Sequence, residues 1–127
     1  MIRVQEDDFD LNHEYQLLLN DDSCSGAVVM FVGRVRDLNQ GHQVDQLHLE
    51  HYPEMTRKYL THLEQQAKEL WPLEGVTIIH RVGPLKIEDK IVMVAVSSVH
   101  RESAFEAAQY LMDLLKANAP FWKKEVI

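Results

Sequence analysis

The chain has 127 residues, of which 46% are hydrophobic, and this length and composition suit one folded domain rather than a disordered chain. Its formal net charge of −7 argues against a general nucleic-acid-binding protein, because such proteins carry a strongly basic face. An acidic total still permits a small local pocket of basic residues for an anionic ligand.

Three features bear on the cellular compartment. The single cysteine, Cys24, excludes a disulfide within the chain and is typical of a reducing compartment. The first residues, MIRVQEDDFD, are acidic and lack the apolar stretch of a secretory signal. No apolar run approaches the roughly 18 residues of a membrane span. The sequence therefore predicts a cytoplasmic protein with no membrane segment.

The N-terminal part of the chain predicts a helix and a strand. Apolar residues at roughly helical spacing predict a short helix within 7–23, and apolar residues on both faces predict a buried strand over 25–37. Gly33 interrupts that strand, which indicates a bulge or a close backbone approach. Because side chains alternate along a strand, Arg34 and Arg36 are expected on the same side.

The middle of the chain predicts a loop, a strand and a helix. Residues 38–43 are polar and predict a flexible turn, and 44–52 alternates as a strand does. Residues 53–72 begin and end with proline, which is typical of a helix with defined ends. The expected apolar stripe of this helix is Met55, Tyr59, Leu63, Ala67 and Leu70.

The C-terminal part predicts two strands, over 75–83 and 91–100, joined by a turn-rich connection. A helix is predicted over 101–119, with Ser103 and Glu106 at the spacing of a capping box. The order α, β, β, α, β, β, α lacks regular βαβ alternation, so the predicted fold class is α+β. The expected inner face of the last helix is Ala104, Ala108, Leu111 and Leu115.

The junction between the last strand and the last helix is a candidate anion site. A helix N-terminus offers unpaired N–H groups and partial positive charge, and His100 and Arg101 would strengthen such a site. An equally ordinary interpretation is that Arg101 is a solvated surface charge and His100 caps the strand.

The lysines near the C-terminus have both an ordinary and a functional interpretation. Lys116 can complement the helix dipole, and Lys123 and Lys124 can be solvated charges. Phe121 and Trp122 favour a functional interpretation, because adjacent aromatic rings seek burial and would hold the neighbouring lysines in place. A lysine held near other cations and partly removed from water can act as a base or a nucleophile.

Seven histidines raise the question of a metal site. His48 and Glu50 share a strand face and His51 lies on the other, but no HExxH motif and no Cys/His ligand spacing occurs. The sequence therefore predicts no metal ligands.

Several segments together resemble the MoaE family, the large catalytic subunits of molybdopterin synthase. They are GAVVMFVGRVRD, LEHYPEMTRK and the stretch from WPLEGVTIIHRVG to NAPFWKKE, so that the match covers roughly residues 26–125. The combination HR…AFEA…LK…APFWK is the most specific part of the resemblance.

The resemblance implies a single MoaE-like catalytic domain over 1–127, with an α/β-hammerhead fold and an additional small antiparallel sheet. It implies a sulfurtransferase that converts cyclic pyranopterin monophosphate (precursor Z) into molybdopterin, in the biosynthesis of the molybdenum cofactor. The sulfur would come from the C-terminal Gly-Gly thiocarboxylate of a small ubiquitin-like subunit. A homodimer of large subunits would form the centre of a heterotetramer, with no cofactor, metal or nucleic acid.

The resemblance also implies roles for individual residues. Lys116 and Lys123 correspond to the catalytic lysines, and His100 with Arg101 to the substrate-anchoring pair. The implied substrate-binding residues are Arg34, Val35, Arg36, His100, Arg101, Lys116, Lys123, Lys124 and Glu125. Family members commonly continue with a polar segment that helps to close the pocket, whereas this sequence ends at Ile127.

Two other functions remain compatible with the basic residues. A non-enzymatic anion- or nucleotide-binding regulatory module of α+β type would use the same arginine, histidine and lysine side chains. A single-stranded RNA-binding protein would use Phe121 and Trp122 as stacking surfaces, which the acidic total disfavours.

Overall fold

A computed structural model describes residues 1–36, 46–49, 53–118 and 124–126 of the chain. Within these ranges the elements follow the order β1 (Ile2–Gln5), α1 (Leu11–Leu18), β2 (Ala27–Arg34), β3 (Gln46–Leu49), α2 (Pro53–Leu70), β4 (Leu73–Arg81), β5 (Gly83–Lys86), β6 (Lys90–Ser98), α3 (Arg101–Asn118) and β7 (Lys124–Val126).

Four strands form the main sheet in the order β1-β4-β6-β2. β1 runs parallel to β4, whereas β6 is antiparallel to both of its neighbours, β4 and β2. Along the β2–β6 pair, Ala27 lies opposite Ser98 at one end and Arg34 lies opposite Lys90 at the other. These two ends of the sheet are the reference points for the candidate site.

The core lies on both faces of this sheet. Helices α2 and α3 cover one face, and α1 contacts β6 and β4 on the other. β6 is apolar on both sides because it is covered from both sides, and all of its residues after Lys90 are buried. The buried residues on the face covered by α2 and α3 include Leu60, Leu63, Ala67, Val76, Ile78, Val94, Val96, Ala104 and Leu111. Those of the second face are Phe9, Ile79, Met93 and Ala95.

A second sheet has three antiparallel strands in the order β5-β3-β7. Its inner side chains include Leu49 and Leu85, both fully buried. β5 follows β4 after a single residue, so the small sheet adjoins the Arg34 end of the main sheet. The α+β class and the additional small antiparallel sheet are confirmed.

The predicted strands and helices all occur, but three short strands were missed. β1, β5 and β7 have three or four residues each. Such short segments carry too little periodicity to be recognised, and they become strands because a neighbouring strand supplies their hydrogen bonds. β5 lies within the stretch that was interpreted as a turn-rich connection.

Two details of the predicted helices are wrong. Met55 and Leu70 are each 59% exposed, and the buried side of α2 begins instead with Thr56 and Leu60. Leu63 and Ala67 of the predicted stripe are buried, where α2 meets the sheet and α3. The buried side of α2 is therefore rotated away from Met55 and Leu70. The inner face predicted for α3 is confirmed, since all four residues are buried.

The predicted capping box of α3 is also wrong. α3 begins at Arg101, so Ser103 lies inside its first turn and cannot occupy the position before the helix. The helix starts earlier than the box implied because β6 ends at Ser98 and the chain turns at once.

His80 is a titratable group in the core that the sequence did not reveal. Its side chain is fully buried on β4, and its Nδ1 lies 2.7 Å from the carbonyl oxygen of Arg81. Burial lowers the pKa of His80 from 6.5 to about 4, because the charged imidazolium would lose its hydration. The neutral ring is therefore the form that suits the folded state.

This pKa predicts a loss of stability in acid. As the pH falls from 6.5 towards 4, the unfolded chain gains a proton at His80 that the folded chain does not, so the free energy of unfolding falls by about 3 kcal/mol. Above pH 6.5 the contribution of His80 to the free energy of unfolding is fully present. Urea unfolding across this range should give a shallower pH dependence for His80→Gln than for wild type. His62→Gln, which replaces an exposed histidine on α2, is the control, and equal slopes for wild type and His80→Gln would contradict the prediction.

Candidate active site

The end of β2 presents two arginines on either side of a buried valine. Gly33 pairs with Val92 but Arg34 pairs with Lys90, so the register shifts at this point and the predicted bulge at Gly33 is confirmed. Arg34 and Arg36 are exposed, whereas Val35 is only 6% exposed. This alternation of exposure agrees with the prediction that Arg34 and Arg36 lie on the same side.

Backbone hydrogen bonds hold this segment to the turn that precedes β6. The N–H of Val35 donates to the carbonyl oxygen of Asp89 at 2.8 Å, and the N–H of Glu88 donates to the carbonyl oxygen of Val35 at 2.7 Å. Val35 therefore anchors the segment through its backbone and its buried side chain, while the arginines face outwards. Sequence reasoning missed this contact; the only signal was the polar pair Glu88–Asp89 between two strands.

His100 and Arg101 lie at the opposite end of the sheet. β6 ends at Ser98, next to Ala27, and Arg101 is the first residue of α3. Both His100 and Arg101 are exposed, and the carbonyl oxygen of His100 accepts a hydrogen bond from the N–H of Ala104 at 3.4 Å. The predicted strand-to-helix junction is thus present, with both side chains open to solvent at a helix N-terminus.

Lys116 lies in the last turn of α3 and is exposed. α3 returns along the sheet from the Ser98 end, since Trp71 contacts Glu106 early in the helix and the Tyr59 hydroxyl donates to the Leu114 carbonyl oxygen near its end. An 18-residue helix is about 27 Å long, so Lys116 lies far from Arg101. It lies towards the end of the sheet at which Arg34 leaves β2.

The candidate residues therefore form two groups within one chain. The first group, at the Arg34 end, consists of Arg34, Arg36 and Lys116. The second group, at the Ser98 end, consists of His100 and Arg101. One chain alone does not place the two groups around a single ligand, because the length of α3 separates them.

The tail residues are only partly described. Lys123 lies outside the described residues. Lys124 and Glu125 belong to β7, where they pair with Leu49 and His48 of β3. The small sheet adjoins the Arg34 end, so β7 runs on the side of the molecule where the first group lies.

Other kinds of site are not found in the described parts of the chain. Within them, no three histidine, cysteine, aspartate or glutamate side chains lie close enough together to hold a metal ion. None of the helices there is both long and apolar enough to cross a membrane.

Comparison with known proteins identifies the family. A model of the family described as MoaE protein matches residues 4–118. The chain belongs to the MoaE family. It is 52% identical over 125 residues to the molybdopterin synthase catalytic subunit of Vibrio cholerae serotype O1, a match that covers 98% of the chain and 83% of that relative. It is 54% identical over 124 residues to the protein of the same name from Pasteurella multocida, covering 98% and 82%.

Solved structures of MoaE proteins share the fold. The molybdopterin cofactor biosynthesis protein E of Burkholderia multivorans superimposes with a TM-score of 0.88 at 46% identity, covering all of this chain and 86% of that one. The subunit complex of the Helicobacter pylori molybdopterin-converting factor contains a chain with a TM-score of 0.82 at 22% identity, which shows the fold alone; the match covers 98% of this chain and 83% of that one.

The bulge at Gly33 should be intolerant of a side chain. A Cβ at this position would lie 2.8 Å from Cγ1 of Val92 and 3.4 Å from the ring of Phe31. Gly33→Ala should therefore lower the free energy of unfolding by about 1–3 kcal/mol, because β2 or Val92 must move to make room. Urea unfolding measures this, and an unchanged midpoint would show that the pair of strands adapts without cost.

Proposed function

We propose that the chain is the catalytic subunit of a molybdopterin synthase, acting as one catalytic domain over 1–127. The observation that carries this proposal is the set of exposed cations, Arg34, Arg36 and Lys116, at one end of the main sheet of a MoaE-family chain. Relatives that match 98% of the chain at 52–54% identity are named molybdopterin synthase catalytic subunit. The reaction is the transfer of two sulfur atoms to cyclic pyranopterin monophosphate.

The charges of the site suit this substrate. The cyclic phosphate is an anion, and a guanidinium group binds phosphate oxygens through two parallel hydrogen bonds. Arg34 and Arg36 supply two such groups on one side of the chain. His100 and Arg101 supply further donors beside the N–H groups at the start of α3.

Lys116 is the leading candidate for the chemical steps. In each transfer the thiocarboxylate sulfur forms a bond to a pterin side-chain carbon as that carbon loses a bond to oxygen. Water then cleaves the carbonyl–sulfur bond, so the sulfur stays on the pterin and the donor tail leaves as a carboxylate. Both steps need protons to be moved, and an amine at the reacting atoms can move them. Lys123 is the second catalytic candidate, and Lys124 and Glu125 are further candidates for binding the substrate.

The geometry calls for a second copy of the chain. About 22 Å of helix separates Arg101 from Lys116, which is too far for one small ligand to reach both. In a two-fold dimer every contact between the chains occurs twice, once in each direction, so the Arg34 group of each chain can face the Arg101 group of its partner. Each dimer then has two equivalent pockets.

The sulfur donor is a second protein. A small ubiquitin-like subunit brings the sulfur as a thiocarboxylate on its C-terminal Gly-Gly, which enters the pocket beside Lys116, and one small subunit binds at each end of the dimer. The exposed thiol of Cys24 is compatible with the reducing environment of the cytoplasm, where we place this enzyme.

Lys116→Ala should lower turnover by about 100-fold or more, because the proton-transferring amine is lost. Lys116 is exposed, so the fold should survive its loss, and we expect the small subunit still to bind. The assay mixes the protein with thiocarboxylated small subunit and precursor Z and quantifies molybdopterin. Lys68→Ala, which removes an exposed lysine from α2, is the control. Full activity in Lys116→Ala would refute its role, and no product from wild type would refute the enzyme.

Mixing two inactive variants tests the shared pocket. Lys116→Ala and Arg101→Ala each damage every pocket of their own homodimer. After unfolding and refolding as an equal mixture, half of the dimers are mixed, and each mixed dimer has one intact pocket if the pocket is shared between chains. Roughly a quarter of wild-type activity should then return. No recovery, in a mixture shown by mass spectrometry to contain mixed dimers, would place Lys116 and Arg101 in the same chain's pocket.

A further inference from the structure

We propose that the turn over residues 86–89 holds Arg34 and Arg36 in the position that binds substrate, and that Asp89 is the positioning residue of this turn. The inference rests on the proposed function for the role of the arginines. Its structural part, the dependence of the Arg34–Arg36 segment on the turn, stands on the hydrogen bonds alone.

The turn is held by its own hydrogen bonds. The N–H of Asp89 donates to the carbonyl oxygen of Lys86 at 3.0 Å, and the carboxylate of Asp89 accepts from the N–H of Lys86 at 2.8 Å. Glu88, the third residue, has a φ of +80°, the value that a type II turn requires at that position. Glycine is the usual residue at this position because a side chain disfavours a positive φ, so Glu88 destabilises the turn. The hydrogen bond that the Asp89 side chain accepts offsets this cost.

The same turn holds the segment between the arginines. Val35 exchanges two backbone hydrogen bonds with it, one to Asp89 at 2.8 Å and one from Glu88 at 2.7 Å. These bonds take the place of the strand pairing, which changes register at Gly33 and whose last β2 residue is Arg34. In the main sheet β2 is the edge strand, so the turn is the neighbour that supplies these bonds beyond Arg34.

Arg81 fixes the base of this turn. This buried guanidinium donates to the carbonyl oxygen of Lys90 at 3.0 Å and, with two nitrogens, to that of Glu6 at 3.0 and 3.1 Å. Lys90 is the residue opposite Arg34. The hydrogen bonds thus run from the core through Lys90 and the turn to Val35.

A fixed backbone at Val35 favours binding of the substrate by Arg34 and Arg36. Arginine side chains lose rotational freedom when they grip an anion, and a backbone that already has the right direction limits the further cost. An anion-binding pair displaced by about 1 Å no longer aligns its hydrogen bonds with the phosphate oxygens, so substrate binding weakens. The turn therefore contributes to substrate recognition without touching the substrate.

Asp89→Ala is the decisive variant. It removes the acceptor for the N–H of Lys86 and leaves Glu88 to oppose the turn, so the KM for precursor Z should rise roughly tenfold while kcat changes much less. Asp89→Asn keeps an acceptor oxygen at the same place and should restore the wild-type KM. Glu88→Gly keeps the turn and removes its strain, so it should raise the Tm and leave KM unchanged.

A matched control separates positioning from general stability. Asp10 caps α1 by accepting one hydrogen bond from the N–H of His13 at 3.0 Å, so Asp10→Ala loses the same kind of contact outside the turn. Its Tm should fall by a similar amount, and its KM should stay at the wild-type value. An equal rise of KM in Asp10→Ala and Asp89→Ala would overturn the positioning role.

Amide hydrogen exchange tests the turn without any activity. The amide of Val35 should exchange at least about tenfold faster in Asp89→Ala than in wild type, and at the wild-type rate in Asp10→Ala. Unchanged exchange at Val35 would overturn the inference. If wild type makes no molybdopterin while the exchange result holds, the proposed function fails and the structural part of the inference stands.

Discussion

The pairing of β6 between β4 and β2 is the constraint on which the rest of the structure depends. β6 is covered on both faces, and the two groups of cations lie near its two ends on neighbouring segments. At its start Lys90 lies opposite Arg34, and beyond its end the chain turns through His100 and Arg101 into α3. Because α3 packs back along the same strand, it returns Lys116 to the start. The length of one buried strand therefore sets the separation of the functional groups.

This arrangement reconciles an acidic protein with the anionic substrate that we propose for it. The net charge of −7 is a sum over the whole chain, whereas Arg34, Arg36 and Lys116 lie towards one end of the main sheet. Field strength at a ligand depends on the charges within a Debye length of it, about 8–10 Å in physiological salt. The net charge of the chain therefore does not decide the field at a ligand, which is set by the side chains that lie close to it.

The sequence was sufficient for the elements that carry their own periodicity. The apolar run at 91–100 and the helix at 101–119 are close to β6 and α3, and the glycine at position 33 marked the bulge. It was insufficient where a distant segment decides the outcome. β1 becomes a strand because β4 accepts it in parallel, and Met55 is exposed because the sheet and α3 select a different side of α2.

The same distinction applies to the site. Arg34, Arg36, His100, Arg101 and Lys116 could be named from motifs, since residue type and local spacing are readable along the chain. Their separation into two groups could not, because it follows from the antiparallel return of α3. The part played by Asp89 was hidden for a similar reason: its partner Val35 is more than fifty positions away.

A site divided between the ends of a rigid strand has a physical consequence for assembly. Neither group moves towards the other without breaking the packing of β6 and α3, whose inner residues Val94, Val96 and Leu111 are fully buried. Under the proposed function, closure around the substrate therefore comes from association of chains rather than from bending within one. Association then brings together two surfaces of like charge, which repel until the anionic substrate lies between them. The substrate's phosphate is thus able to stabilise the very contact that completes its pocket, and binding and pocket assembly become linked equilibria.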